Sequence, residues 1–417
     1  MLCAHLQRTN RLRNVYRVLA AQIVSRPETN LAPLDGLRAV AVLMILCFHG
    51  ALFGGVFELG QAHAQLGVLP RAFLGGWIGI DIFFVLSGFL IGRILLRQLR
   101  GGGIRFAAFY LRRTSRIFPA YYLVLTLSTL VFARFDAFAM LYLNVPWTVL
   151  RQGSWANYLY VSNYVFGREP NALPWGWSLC VEEHFYLLLP LVLTVLFGFF
   201  PRQARVPLLV GLTLAPSVIR VGRFLAAPDR SVLDGVYYTS HTHFDGLLIG
   251  VLIAYGYVYH REAFRSIAVR CRGGVWVTAS LCFVSVFVWG GLERQGAFAA
   301  VVQFLALATG SGLLLINGLF LDNGPSRLLG HPMWYPVARV SYGLYLLHPF
   351  ALVGWISFWP GGQATLSTSA LELAVFTLAA GATATLCATL MFLAVERPLL
   401  DAGTDLSRRW WANDAER

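Results

Sequence analysis

Lysine is missing from all 417 residues: the 33 basic side chains are arginines without exception. Its absence excludes Schiff-base chemistry on a lysine amine and phosphate binding by a Walker-type lysine. Charge of either sign is scarce. At 13% charged against 57% hydrophobic, the polar residues are too few to cover a water-soluble domain of this length, which sets a soluble enzyme aside. The six cysteines form no C-x-x-C pair and mostly lie in apolar runs, where Cys behaves as a small hydrophobe. Neither a disulfide framework nor a zinc site follows, and no metal is expected. A formal charge of +13 in a soluble chain would point to nucleic acid. In a membrane chain cytoplasmic loops carry such an excess, so the expected partner is the lipid bilayer and not nucleic acid.

Long apolar runs are what the chain has instead. A helix crossing the hydrocarbon needs about 20 mostly apolar residues, and such runs lie near 37–55, 73–96, 118–134, 176–198, 206–222, 240–259, 274–291, 298–320, 337–357 and 371–395. They predict an all-α membrane protein, a bundle of about ten transmembrane helices. With a cytoplasmic N-terminus, 25 of the 33 arginines fall in inner segments, which supports an N-in and C-in orientation. Residues 1–30, with Arg8, Arg11, Arg13 and Arg17, read as a cytoplasmic basic arm, 31–400 as the transmembrane domain and 401–417 as a cytoplasmic tail. The aromatic-rich stretch 135–173 reads as an outer re-entrant loop.

Ionisable side chains at membrane depth are costly, so each needs a partner or a task. The first run opens Asp35-Gly36-Leu37-Arg38 and carries His49. Eleven residues at about 100° each return to nearly the same helix face about 16 Å along the axis, so Arg38 and His49 share one stripe. The second run enters through Gly75-Gly76-Trp77-Ile78-Gly79 to Asp81, a carboxylate at roughly the level of His49 that requires a cationic or imidazole neighbour. The fourth opens with Trp177 and then Glu182-Glu183-His184; adjacent residues diverge by about 100°, so one of the two carboxylates at most faces a given partner. The sixth begins His241-Thr242-His243-Phe244-Asp245, for which anchoring at the interface is an equally good reading. The ninth places Tyr345 and His348 one turn apart, just before Pro349. On the inner side, Arg113 and Arg116 stand one turn apart at the start of the third run. Topology accounts for the number of arginines there, but this spacing also suits a clamp on phosphates.

In this order the segments resemble the bacterial integral-membrane acyltransferases of family three over most of the chain. Leu34-Asp35-Gly36-Leu37-Arg38 through His49 is similar to the family's Arg, ten residues, His signature, and Gly79 to Phe89 to its second-helix motif. Arg113 and Arg116 match Arg-x-x-Arg, Trp177 to Tyr186 matches Trp-Ser-Leu-x-Val-Glu-Glu-x-Phe-Tyr, and Ser341 to His348 matches Ser-Tyr-x-x-Tyr-Leu-x-His. The resemblance implies a ten-helix fold, an acyl-coenzyme A donor taken from the cytoplasm, His49 as the essential catalytic residue, and a requirement for Arg38 and the arginine pair. His243 departs from the Arg-Phe-Asp segment of many members, and no appended esterase-like domain is expected.

The sequence thus reads as a bacterial inner-membrane O-acyltransferase. It would move an acyl group, acetyl foremost, from acyl-coenzyme A to a hydroxyl of a glycan, a lipid-linked sugar or a secondary metabolite. His49 would act as the base, with Glu182, Glu183 or Asp81 holding the ring. Arg38, Arg113 and Arg116 would bind the donor, and Trp177, His241, Asp245, Tyr345 and His348 the substrate. A transporter or sensor of a sugar or lipid solute is the alternative; a transporter would show paired half-repeats or discontinuous helices, and neither is visible.

Overall fold

Each of the ten apolar runs holds a helix. The computed structural model describes residue 23 and residues 31–56, 68–131, 146–165, 170–229, 232, 236–289, 296–360 and 369–415. The expected basic arm, residue 23 excepted, lies outside the described residues, as do 132–134 of the third run and 135–145 and 166–169 of the expected re-entrant loop. Among the described residues there is no strand. The principal helices are α1 (Ala32–Phe53), α2 (Gly79–Arg100), α3 (Phe106–Leu130), α4 (Trp177–Phe199), α5 (Arg202–Ala226) and α6 (Asp245–Tyr259). They continue with α7 (Arg272–Trp289), α8 (Gln303–Phe320), α9 (Trp334–Phe358), α10 (Ala370–Met391) and α11 (Arg397–Ala415).

Among the described residues, eight helices are long and apolar enough to cross a membrane. The other two runs are α6, of 15 residues, and α3, whose 25 residues include Arg112, Arg113 and Arg116. Here the structure corrects the sequence boundary: the helix starts at Phe106, not near 118. Its buried face runs Phe109, Ile117, Ala120, Tyr121, Val124 and Leu125, a helical spacing that the intervening arginines hide from a hydropathy reading. The arginine pair therefore sits inside the helix, on a rigid scaffold.

Glycines set the closest packing. α2 carries Gly88 and Gly92, and α6 carries Gly246 and Gly250, a small-x-x-x-small spacing on both helices that lets backbones approach. A Cβ on Gly88 would fall on the Leu247 carbonyl, and one on Gly250 on the Val85 carbonyl and the Phe89 amide. Gly250→Val is expected to destabilise the fold by about 1–3 kcal/mol or more, because backbone cannot yield as a side-chain tip can. Thermal unfolding of the detergent-solubilised chain measures it, and an unchanged melting temperature contradicts this packing. Gly76 and Gly79 likewise lie against the Met44 and Ala41 carbonyls, bringing the entry of α2 onto the middle of α1.

The outer helices show the opposite pattern. Val218 and Leu225 on α5, and Val277 and Leu281 on α7, are exposed apolar side chains, as expected of faces that meet lipid. In the outer segment Trp155 and Tyr164 are exposed, whereas Tyr160 is buried, stacked on Tyr121 at 4.3 Å and Phe118 at 5.5 Å between ring centres. Of these three, Trp155 and Tyr164 face outward and Tyr160 joins the core.

A π-helical turn, Phe392–Glu396, joins α10 to α11, and α11 packs along the start of α3. Arg112 Nη1 donates to Ser407 Oγ at 2.9 Å, and a Cβ on Gly403 would strike Ser115. The segment read from sequence as a tail is therefore, through Ala415, a helix that braces the arginine-bearing helix.

Candidate active site

α1 packs between α2 on one side and α9 and α10 on the other, and this fixes what His49 meets. Its Nδ1 lies 3.1 Å from the Ile45 carbonyl of its own helix and 3.0 Å from Nε2 of His348 on α9. His348 in turn sets its Nδ1 3.1 Å from the Leu344 carbonyl. A carbonyl only accepts, so the Leu344 contact puts the hydrogen of a neutral His348 on Nδ1 and leaves its Nε2 a bare acceptor. That acceptor and the Ile45 carbonyl together hold the hydrogen of His49 on Nδ1. Nε2 of His49 is left with its lone pair free, the form a general base needs. His49 as a residue is partly buried.

This changes one expectation. Among the described residues the polar partners of His49 are a backbone carbonyl and His348, not Asp81, Glu182 or Glu183. The depth of those carboxylates is legible from residue spacing but their direction around the helix is not, and none of the three meets His49. Asp81 Oδ1 lies 3.2 Å from His243 Nε2. Glu182 Oε1 accepts from Ser87 Oγ at 2.6 Å, and Tyr186 donates to the same serine at 3.1 Å. Glu183 has one buried oxygen without a hydrogen-bond partner.

On the side of the bundle where α1, α3 and α9 begin, a cavity of about 310 Å³ opens among α1, α2, α3, α4 and α9. Arg38, Arg113 and Arg116 line it, and so do Arg93 and Arg339, which sequence reasoning had left to topology. The lining carboxylates are Asp35 and Glu182, so five guanidiniums exceed them by three positive charges. The chemistry of this donor set suits a polyanion. Arg113 is braced by the Tyr186 ring, its guanidinium carbon 4.0 Å from the ring centre.

At its far end the cavity is lined by Ser178 and Tyr345. The Tyr345 hydroxyl donates to the Trp175 carbonyl at 2.6 Å, so Ser178, also at 2.6 Å, donates to it. Neither histidine is a lining residue; the cavity stops one helical turn short of His348, whose ring centre is 5.9 Å from that of Tyr345. Tyr345 thus stands between the arginine-lined space and the histidine pair.

The remaining residues expected to bind substrate lie outside the cavity lining. Asp245 accepts from Arg220 Nη2 at 2.7 Å, with both side chains buried, so a structural ion pair replaces the substrate contact expected of it. Arg220 also donates to the Thr242 carbonyl at 2.5 Å and lies over the Phe304 ring. Sequence reasoning missed Arg220, though a lone arginine in an apolar helix signals a buried partner. The guanidinium reaches Asp245 from α5, while His243, where many members have Arg, meets Asp81. His243 Nδ1 donates to the Tyr237 carbonyl at 2.7 Å, so its contact with Asp81 needs a further proton, on the ring or on the carboxyl. Trp177 packs against Tyr237, 4.7 Å between ring centres, while half-exposed His241 stacks on Tyr164 at 5.8 Å. Burial, with a smaller contribution from nearby Arg223, pushes the His241 imidazole below its ordinary pKa. Among the described residues no three His, Cys, Asp or Glu side chains gather in a way that could hold a metal ion.

The site thus joins an arginine-lined cavity to a nearby histidine pair within a bundle of apolar helices. By comparison with known families, residues 31–393 match the acyltransferase domain model, and the chain belongs to that family. Its relatives include the peptidoglycan O-acetyltransferase OatA of Listeria monocytogenes, 28% identical over 76% of this chain and 48% of the relative. The putative peptidoglycan O-acetyltransferase YrhL of Bacillus subtilis is 28% identical over 76% and 47%, and the O-acetyltransferase OatA of Staphylococcus aureus 28% over 83% and 55%. The chain spans about half the length of these curated relatives. No solved structure matches it significantly. With eight helices among the described residues long and apolar enough to cross a membrane, and with bacterial relatives, it is a multi-pass protein of the bacterial cytoplasmic membrane.

Proposed function

We propose that the protein is a membrane O-acyltransferase that moves an acetyl group from acetyl-coenzyme A to a glycan hydroxyl. The observation that carries this reading is the pairing of a five-arginine cavity with an imidazole held as a neutral base just beyond it. The relatives' names support acetyl as the group and a cell-wall glycan as the acceptor class.

The donor's phosphates dock on Arg113 and Arg116, with Arg38 beside them, and its pantetheine arm extends toward Tyr345. The 11 residues from Arg38 to His49 span about 16 Å, a length suited to that arm. The thioester passes Tyr345 when its hydroxyl releases the Trp175 carbonyl and Ser178. Nε2 of His49 takes the proton of the acceptor hydroxyl as its oxygen attacks the thioester carbonyl. The new C–O ester bond forms, the C–S bond breaks, and the leaving thiolate receives the proton from the imidazolium, so the ring is restored. His348 holds the tautomer throughout, as an orienting partner does in a triad. The bundle is oriented with both termini in the cytoplasm, which sets the arginine cavity on the side where the donor is made, and ten helices cross. The arginine asymmetry supports this.

The test is mass spectrometry of cell-wall glycans from cells with the chain, without it, and with His49→Ala at equal protein level. O-acetyl groups are expected only with the unaltered chain. Equal acetylation in all three overturns the reading, and uptake of a solute without acetylation favours transport.

A further inference from the structure

The mechanism above uses three of the five arginines that line the cavity. Arg93 and Arg339 come from opposite sides of the sequence, on α2 and α9, yet reach the same space. Arg38 lies six residues inside the start of α1, Arg113 seven inside α3 and Arg339 five inside α9, while Arg93 lies seven before the end of α2. At 1.5 Å per residue these depths, each counted from its own helix end, differ by only about 3 Å, and all four arginines line the one cavity.

Among the described residues neither extra arginine makes a close ion pair, although Arg339 lies near the Glu396 carboxylate. The Arg339 guanidinium carbon sits 4.8 Å from the centre of the Phe392 ring, and that of Arg93 sits 5.9 Å from Phe89. A ring face engages the guanidinium through its charge and leaves the in-plane N–H groups for another partner. The buried Nε of each has no hydrogen-bond partner, although Arg93 also meets Tyr257. A single diphosphate is satisfied by two or three guanidiniums; five, with only two lining carboxylates against them, exceed what one such group requires.

We propose that Arg93 and Arg339 complete a site for a second phosphate group, apart from the diphosphate on Arg113 and Arg116. The donor is thereby selected as a thioester that carries a 3′-phosphorylated adenosine diphosphate. This rests on the acyl-coenzyme A reading above and names the part of the donor that the cavity selects. Arg339 and Arg93 act in binding and not in the chemical step.

The experiment is calorimetric binding of coenzyme A and of 3′-dephospho-coenzyme A, both without an acyl group, to the full chain in nanodiscs. The unaltered protein is expected to prefer coenzyme A by about tenfold or more, a preference that needs no variant to read. Arg339→Gln and Arg93→Gln are each expected to weaken coenzyme A binding and to bring the two affinities within about threefold, with Arg339→Lys in between. Equal binding of the two ligands by the unaltered protein, or an undiminished preference in both Gln variants, overturns the second phosphate site and leaves the donor reading standing. No binding of either ligand by the unaltered protein overturns the donor reading itself, and the second site with it.

Discussion

His49→Ala is expected to lower the turnover of acyl transfer by about 10²–10⁴-fold, the usual contribution of a positioned general base, with the donor KM little changed. The base lies beyond the cavity that binds the phosphates, so its loss leaves donor affinity intact. His348→Ala is expected to act the same way but less strongly, because the His49 ring keeps its own backbone contact to Ile45 at 3.1 Å. His348→Gln, whose amide oxygen can accept from Nδ1 of His49, should recover part of the loss. A merely structural role for His348 predicts no such rescue, and steady-state kinetics with labelled acetyl-coenzyme A distinguish the two. A full-rate His49→Ala enzyme contradicts the mechanism.

The second large effect is on stability. Arg220→Met is expected to cost about 3–5 kcal/mol, since it leaves the Asp245 carboxylate buried and unpaired in an apolar surround. The double variant Arg220→Met with Asp245→Leu should be far closer to the unaltered protein, because removing both charges also removes their desolvation. The Thr242 carbonyl and Ser217 hydroxyl lose a donor in either case, so recovery is incomplete. Denaturant unfolding of the chain in detergent reads both. Equal stability of the single variant and the unaltered protein removes the argument that this pair holds the turn carrying His243 to Asp81.

The helices were legible because apolar runs about 20 residues long have few other readings in a chain so poor in charge. The start of α3 was not, because its buried face is interrupted by Arg112, Arg113 and Arg116. The cavity arginines divided along the same line. Arg38, Arg113 and Arg116 carried a spacing that pointed to phosphate, whereas Arg93 and Arg339 are isolated in sequence and converge only through the packing of α2 and α9. Direction around a helix was the other limit. The levels of Asp81, Glu182 and Glu183 agreed with a carboxylate partner for His49, yet the ring turns toward α9 and meets His348, which the sequence had placed with the substrate. The cation that meets Asp245 comes from Arg220, on a helix with no other marked residue, so only the packing of α5 on α6 reveals the pair.

The central claim is that donor and acceptor meet from opposite faces, the donor through the arginine cavity and the acceptor at Nε2 of His49. The most direct measurement uses proteoliposomes in which the chain is inserted in one known orientation, with radiolabelled acetyl-coenzyme A confined to one side and muropeptides to the other. Label is expected on the muropeptides only when acetyl-coenzyme A occupies the side of the arginine cavity, and Arg113→Gln should abolish it. Acetylation only when donor and muropeptide share one side, with none across the bilayer, contradicts the account.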